Sequence, residues 1–135
     1  MNINNLTLKG QEAVQRALQI GLENGQQAIE LGHLLKAIME VDENVTPFVL
    51  KKMGVNYNAV QSAVDSVVQS YPTVSGGQQY PSRTMTEAIQ HAGTYLKKFN
   101  DEYISLEHIL LGVLKSRDQV AQLLKDSGVT EKGLI

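Results

Sequence analysis

The sequence predicts an all-α fold: eight helices arranged as two pseudo-symmetric four-helix repeats joined by an extended linker. Three observations carry this. The stretch "ELGHLLKAIM" (Glu30–Met39) returns as "SLEHILLGVL" (Ser105–Leu114), 75 residues later, with a histidine fourth in each. Small residues repeat at the same offset, Ala13 and Ala17 against Ala88 and Ala92. "VLKKMGV" (Val49–Val55) comes back as "LLKDSGV" (Leu123–Val129). Matches in the same order along both halves mark an internal duplication. At 135 residues the two copies make one domain spanning 1–135: repeat one 1–70, linker 71–83, repeat two 84–135. A half of this size is marginal alone and gains stability by burying itself against its copy.

Thr7 predicts the N-cap of a first helix whose stripe is Ala13, Val14, Ala17, Leu18 and Gly21, ending at "ENG" (Glu23–Gly25). The second helix carries Leu31, Leu34, Leu35, Ile38 and Met39 at helical spacing. Thr46 as cap and Pro47 at the first helical position start the third, and Gly54 ends it. A fourth runs from Asn56 with Val60, Val64 and Val67 inward. "YPTVSGGQQYPSR" (Tyr71–Arg83) has two prolines, paired glycines and no periodicity, which reads as a linker. The fifth helix then restarts the pattern with Met85, Ala88, Ile89, Ala92 and Leu96, and the sixth repeats the histidine helix. The seventh ends at Gly128, and the eighth begins only at the last few residues. Alanine at i and i+4 (13 and 17, 88 and 92) lets a neighbouring helix approach closely, so these four are read as structural.

Charge excludes several functions. The formal net charge is −2, with 5 basic and 7 acidic side chains in residues 1–70 and 7 of each in 71–135. Neither half has the positive surplus of a nucleic-acid or anionic-membrane binder. No cysteine is present, so thiolate catalysis and cysteine-based zinc sites are excluded. No apolar run approaches a membrane span, and "NINNLTLKG" after Met1 is no signal peptide; the expected setting is the cytoplasm. A phosphate-binding G-x-x-x-x-G-K-[ST] loop, a G-x-S-x-G nucleophile turn and the H-E-x-x-H metal signature are all missing, and no metal site is expected. The chain reads as a non-enzymatic binding module, monomeric because the duplication already buries the apolar faces.

The three histidines divide. His33, beside Leu34 in the duplicated helix, is read as structural. His91 and Tyr95 lie four apart and share a flank of the fifth helix, with Leu96 beside them in the core. His108 opens the sixth helix just after Tyr103, with Asp101 and Glu107 on its rim. Together they suggest a groove with an apolar floor and polar edges, suited to short unfolded segments bound weakly. Partly buried aromatics at a helix–helix seam are the alternative.

The motifs "IELGHLLKAIM", "TPFVLKKMGV", "YPTVSGG" with the following "YPS", and "DEYISLEHILLGVL" resemble the amino-terminal domain of the Clp ATPase family, in its disaggregase branch, across nearly the whole chain. The resemblance implies a mobile domain tethered to a hexamer of two-ring AAA+ subunits, which receives unfolded or aggregated polypeptide and delivers it to a central pore. ATP and magnesium would belong only to ATPase modules outside this chain. The chain is expected to be a fragment of a longer protein, its eighth helix cut at "TEKGLI". The family's polar contributors resemble Thr7, Asp101 and Glu107 here. Its apolar groove would fall on His91, Tyr95 and His108, which are more polar than the leucines common in relatives. Adaptor docking for a Clp protease, or a regulatory lid, are the other roles the resemblance allows.

Overall fold

A computed structural model describes residues 3–135; the first two residues of the single domain read from the sequence lie outside the described residues. The eight predicted helices appear in order, with the fifth divided in two. After a 3₁₀ turn at Ile3–Asn5, repeat one holds α1 (Leu8–Glu23), α2 (Leu31–Val41), α3 (Val45–Lys52) and α4 (Tyr57–Ser70). Repeat two holds α5 (Arg83–Gly93), α6 (Tyr95–Phe99), α7 (Leu106–Lys115), α8 (Gln119–Asp126) and α9 (Glu131–Leu134). The helix pairs that dominate the packing are α1 with α2 and α5 with α7, the same pair in each repeat. Ala13, Ala17, Ala88 and Ala92 are buried in these seams. The facing side of the second seam is Gly112, where a Cβ would collide with the Ala88 carbonyl oxygen.

Caps explain most of the boundaries. Thr7 Oγ1 accepts from the Gly10 N–H at 3.1 Å, and Ser82 Oγ accepts from Met85 N–H at 3.0 Å. These residues are 75 apart, so the two repeats start with the same cap. Arg83, the last residue of the linker read from the sequence, belongs to α5. The third helix starts differently from expectation. Asp42, not Thr46, caps it: its carboxylate accepts from the N–H groups of Asn44, Val45 and Thr46 and from the Thr46 hydroxyl, at 2.7–3.1 Å. Thr46 is therefore a donor inside the first turn. In α4 the third inward valine is Val68, one residue beyond Val67, which is only partly buried. Helix five breaks at Thr94, whose hydroxyl and N–H both donate to the His91 carbonyl, at 2.6 and 3.0 Å.

The linker lies pinned along repeat one. Val74 N–H donates to Gly25 O at 2.9 Å. Then β2 (Tyr80–Pro81) pairs in parallel with β1 (Ala28–Ile29), Ile29 opposite Pro81. A matching isolated parallel bridge joins Leu6 to Ile104. Moving 75 residues carries Leu6 to Pro81 and Ile29 to Ile104, so the two pairings exchange under the pseudo-two-fold. Thr7 N–H to Ile104 O and Ser82 N–H to Ile29 O are both 2.9 Å. Each repeat thus strings its first helix to the segment before the other repeat's histidine helix.

Candidate substrate-binding cleft

The two duplicated histidines are anchored alike. His33 Nδ1 accepts from the Glu30 N–H and His108 Nδ1 from the Ser105 N–H, each at 2.9 Å. Each ring therefore satisfies an otherwise orphan donor at its helix start. His33 is fully buried, and its Nε2 meets Gln26 Oε1 at 2.6 Å. Burial pushes its pKa down to about 4, helped by the positive charge of Lys36. His108 is 4 % exposed, and its Nε2 lies 3.1 Å from Asp101 Oδ2. Gln26 and Asp101 are 75 residues apart, so this arrangement too is duplicated, an amide in one copy and a carboxylate in the other.

Around His108 a cleft of about 340 Å³ opens, lined by Phe99, Asp101, Ser105, Glu107, Leu111, Leu134 and Ile135. Asp101 and Glu107 stand at its rim; the Asp101 side chain is 48 % exposed and Glu107 is partly exposed. Ser105 Oγ is 3.4 Å from Glu107 Oε2. The cleft's accessible apolar surface comes from half-buried Phe99 and exposed Ile135 over buried Leu111 and Leu134, beside two acidic groups. It suits an apolar side chain flanked by N–H donors or a cation.

The residues predicted to share one groove are linked, but they do not share one surface. Ring contacts run His91–Tyr95 at 5.8 Å, Tyr95–Phe99 at 6.0 Å and Phe99–His108 at 5.5 Å. His91 is exposed, but it lines a separate cleft of about 470 Å³ with Glu87, Lys115, Arg117 and Asp118. Tyr95 is only 6 % exposed. Its hydroxyl donates to Glu131 Oε1 at 3.1 Å, and Lys115 holds the other oxygen at 3.1 Å. Burial, then Glu131, raises the Tyr95 pKa. The expected division of labour between Tyr95 and Leu96 is thus reversed: the break at Thr94 turns Tyr95 inward and leaves Leu96 only partly buried. Thr7 stands across the Leu6–Ile104 bridge from the loop carrying Asp101, its hydroxyl committed to the α1 cap.

Phe99 is the lining residue that reading the sequence missed. Its spacing was the available signal, since 91, 95 and 99 follow i, i+4, i+8. Leu111 and Leu134, which also line the cleft, lie in an apolar run and an apolar pair that carry no signal of their own. Exposed Leu8 and Tyr103 flank the bridge as well. Among the described residues no group of three or more His, Cys, Asp or Glu is placed to hold a metal ion.

In repeat one the matching place is filled by Tyr71. The residue matching Glu107 is Gly32, and the Tyr71 hydroxyl accepts from its N–H at 3.1 Å. Tyr71 also packs on the His33 ring at 5.0 Å, and Gln26 Nε2 donates to Val68 O at 2.7 Å. The end of α4 seals that copy.

Comparison with known proteins agrees with this architecture. Residues 5–127 match the Clp repeat (R) N-terminal domain family. The chaperone protein ClpB of Bacteroides thetaiotaomicron is 49 % identical over 134 residues, 99 % of this chain and 16 % of that protein. ClpB of Porphyromonas gingivalis is 46 % identical over 132 residues, 98 % of this chain and 15 % of that one. The chain therefore spans about one-sixth of the length of these relatives. The Hsp104 N-terminal domain of Candida albicans superimposes with a TM-score of 0.83 at 15 % identity, covering 96 % of this chain and 86 % of that one. The N-terminal domain of ClpV1 ATPase from E. coli gives 0.84 at 12 % identity, covering 98 % and 82 %. The chain belongs to the Clp repeat N-terminal domain family, a non-catalytic module of AAA+ Clp ATPases, and is related within it to the ClpB-type chaperones.

Proposed function

We propose that this chain is the substrate-binding amino-terminal domain of an ATP-dependent protein disaggregase. It takes up unfolded or aggregated polypeptide weakly and delivers it to the pore of a cytoplasmic ClpB-like hexamer. The observation that carries this reading is the cleft at the start of α7. An apolar floor of Phe99, Leu111 and Leu134 lies there beside Asp101 and Glu107, and the family supplies the context of a chaperone ATPase. Such contacts are few and partly wet, so the dissociation constant falls on the order of 10 μM to 1 mM. Weak, fast binding suits a domain that must release its load. The domain acts as a monomer, and ATP and magnesium are handled by ATPase modules elsewhere in the parent protein.

The test is an NMR titration with two unfolded chains of opposite charge. These are reduced, carboxamidomethylated lysozyme, which is basic, and α-lactalbumin treated the same way, which is acidic. Shift changes are expected at Phe99, Asp101, Glu107 and Leu111, larger for lysozyme. Changes confined to α3 and α4, or to the mixed-charge cleft of His91 and Arg117, would favour the adaptor-docking role instead. No response to either chain would favour a regulatory lid.

A further inference from the structure

The two histidine sites act as an internal control for each other. In both, a backbone N–H donates to Nδ1. A backbone N–H only donates, so Nδ1 carries no proton and the neutral ring must carry its proton on Nε2. That N–H points at the residue seven positions upstream in each repeat, Gln26 Oε1 at 2.6 Å and Asp101 Oδ2 at 3.1 Å. The geometry is shared, and what lies beyond the acceptor differs. Gln26 is buried, and its amide N–H groups go to Val68 O and Tyr71 O. Asp101 is half-exposed on a loop at the rim of the cleft, and its Oδ1 has no donor among the described residues.

We propose that His108 is a positioning residue for Asp101. Its Nε2–H fixes one carboxylate oxygen and holds the other at the cleft mouth, ready for an N–H or cationic group of a bound chain. His108 itself touches little of what binds, because it is almost wholly buried. An exposed aspartate on a loop would otherwise lose side-chain freedom on binding, and fixing it beforehand removes part of that cost. His33, with the same bonds and a buried amide as partner, has only the structural role. This inference rests on the reading that polypeptide binds at the cleft.

The experiment uses the 135-residue domain and reduced, carboxamidomethylated lysozyme as probe. His108→Leu fills the space without a donor; His108→Gln restores an N–H near the place of Nε2. Asp101→Asn is combined with each. His108→Leu is expected to weaken binding about fivefold, and His108→Gln to stay within about twofold of the parent. In the Asp101→Asn background the loss from His108→Leu should shrink to near nothing, which a purely structural histidine would not produce. In the free parent, nitrogen shifts of His108 should report a proton on Nε2 and none on Nδ1. Should His108→Leu fail to fold, His108→Met replaces it in the cycle with Asp101→Asn, with the same expected loss and the same shrinkage. Equal losses for Leu and Gln, a loss undiminished by Asp101→Asn, or a proton on Nδ1 would overturn the positioning role. A titration that moves neither Phe99 nor Asp101 would overturn the cleft reading and this inference together; movement there with a failed cycle overturns the inference alone.

Discussion

Tyr95 and Phe99 are one helical turn apart and do opposite jobs. Tyr95 fills space beneath α9 and ties its hydroxyl to Glu131, while Phe99 faces the cleft. Tyr95→Ala should therefore cost about 3 kcal/mol of stability, as loss of a buried aromatic does, and Tyr95→Phe about 1 kcal/mol through the lost hydrogen bond. Phe99→Ala, which loses only a partly buried ring, should lower the denaturation midpoint less than Tyr95→Ala and weaken lysozyme binding; a midpoint falling as far as for Tyr95→Ala would place Phe99 in the core. His33 makes stability depend on pH. Its folded pKa of about 4 lies below the ordinary 6.5, so between these values the unfolded chain binds more protons. The stabilisation is complete above pH 6.5, drains away as pH falls toward 4, and is flat below. The loss across this range amounts to about 3 kcal/mol. Urea melts at pH 7.5, 5.5 and 4.5 should show this fall, and His33→Gln should flatten it.

At the scale of elements, close backbone approach sets the α5–α7 seam. The alanines of α5 were legible as a small-residue stripe, because their spacing is helical and their repeat is offset by 75. Gly112 on the opposite helix was not, since a lone glycine in an apolar run carries no pattern of its own. Gly112→Ala should cost about 1–3 kcal/mol by pushing α7 away from Ala88. Thermal melts check this, and a neutral outcome would mean the seam yields easily. Asp42→Ala should cost about 1–2 kcal/mol through loss of the α3 cap. Burial opposes the Asp42 charge, but the bonds from Thr46, Asn44 and Val45 outweigh it and hold the carboxyl below its usual range. That cap escaped the sequence because "VDENVTP" offers several capping residues, and only the chain direction after α2 chooses among them. The break at Thr94 escaped for a similar reason. The apolar stripe continues through it, and only a hydroxyl turned back onto the His91 carbonyl marks the end. The site was half legible. The histidine followed from the repeat and the acidic rim from its place beside that histidine, whereas which aromatic faces the cleft depended on that break.

For the whole molecule, the duplication gave the architecture, yet two-residue strands leave no periodic signature, so the cross-pairings were invisible in the sequence. They cross-link the halves, and on that ground we propose that the halves unfold as one cooperative unit. Residues 1–70 alone should be largely unfolded, and the intact chain should lose circular dichroism and near-ultraviolet signal in one coincident transition; two separated transitions would show that the halves stand independently. The Leu6–Ile104 bridge also has a consequence in time. A ribosome adds about 5–20 residues per second, so Leu6 waits on the order of 5–20 s before its partner strand is even synthesised. During that interval the apolar faces of repeat one have only α1–α4 to cover them, and the surface meant for α7 stays open. A domain of this design must therefore keep part of its first repeat exposed on the ribosome until the second repeat has been made.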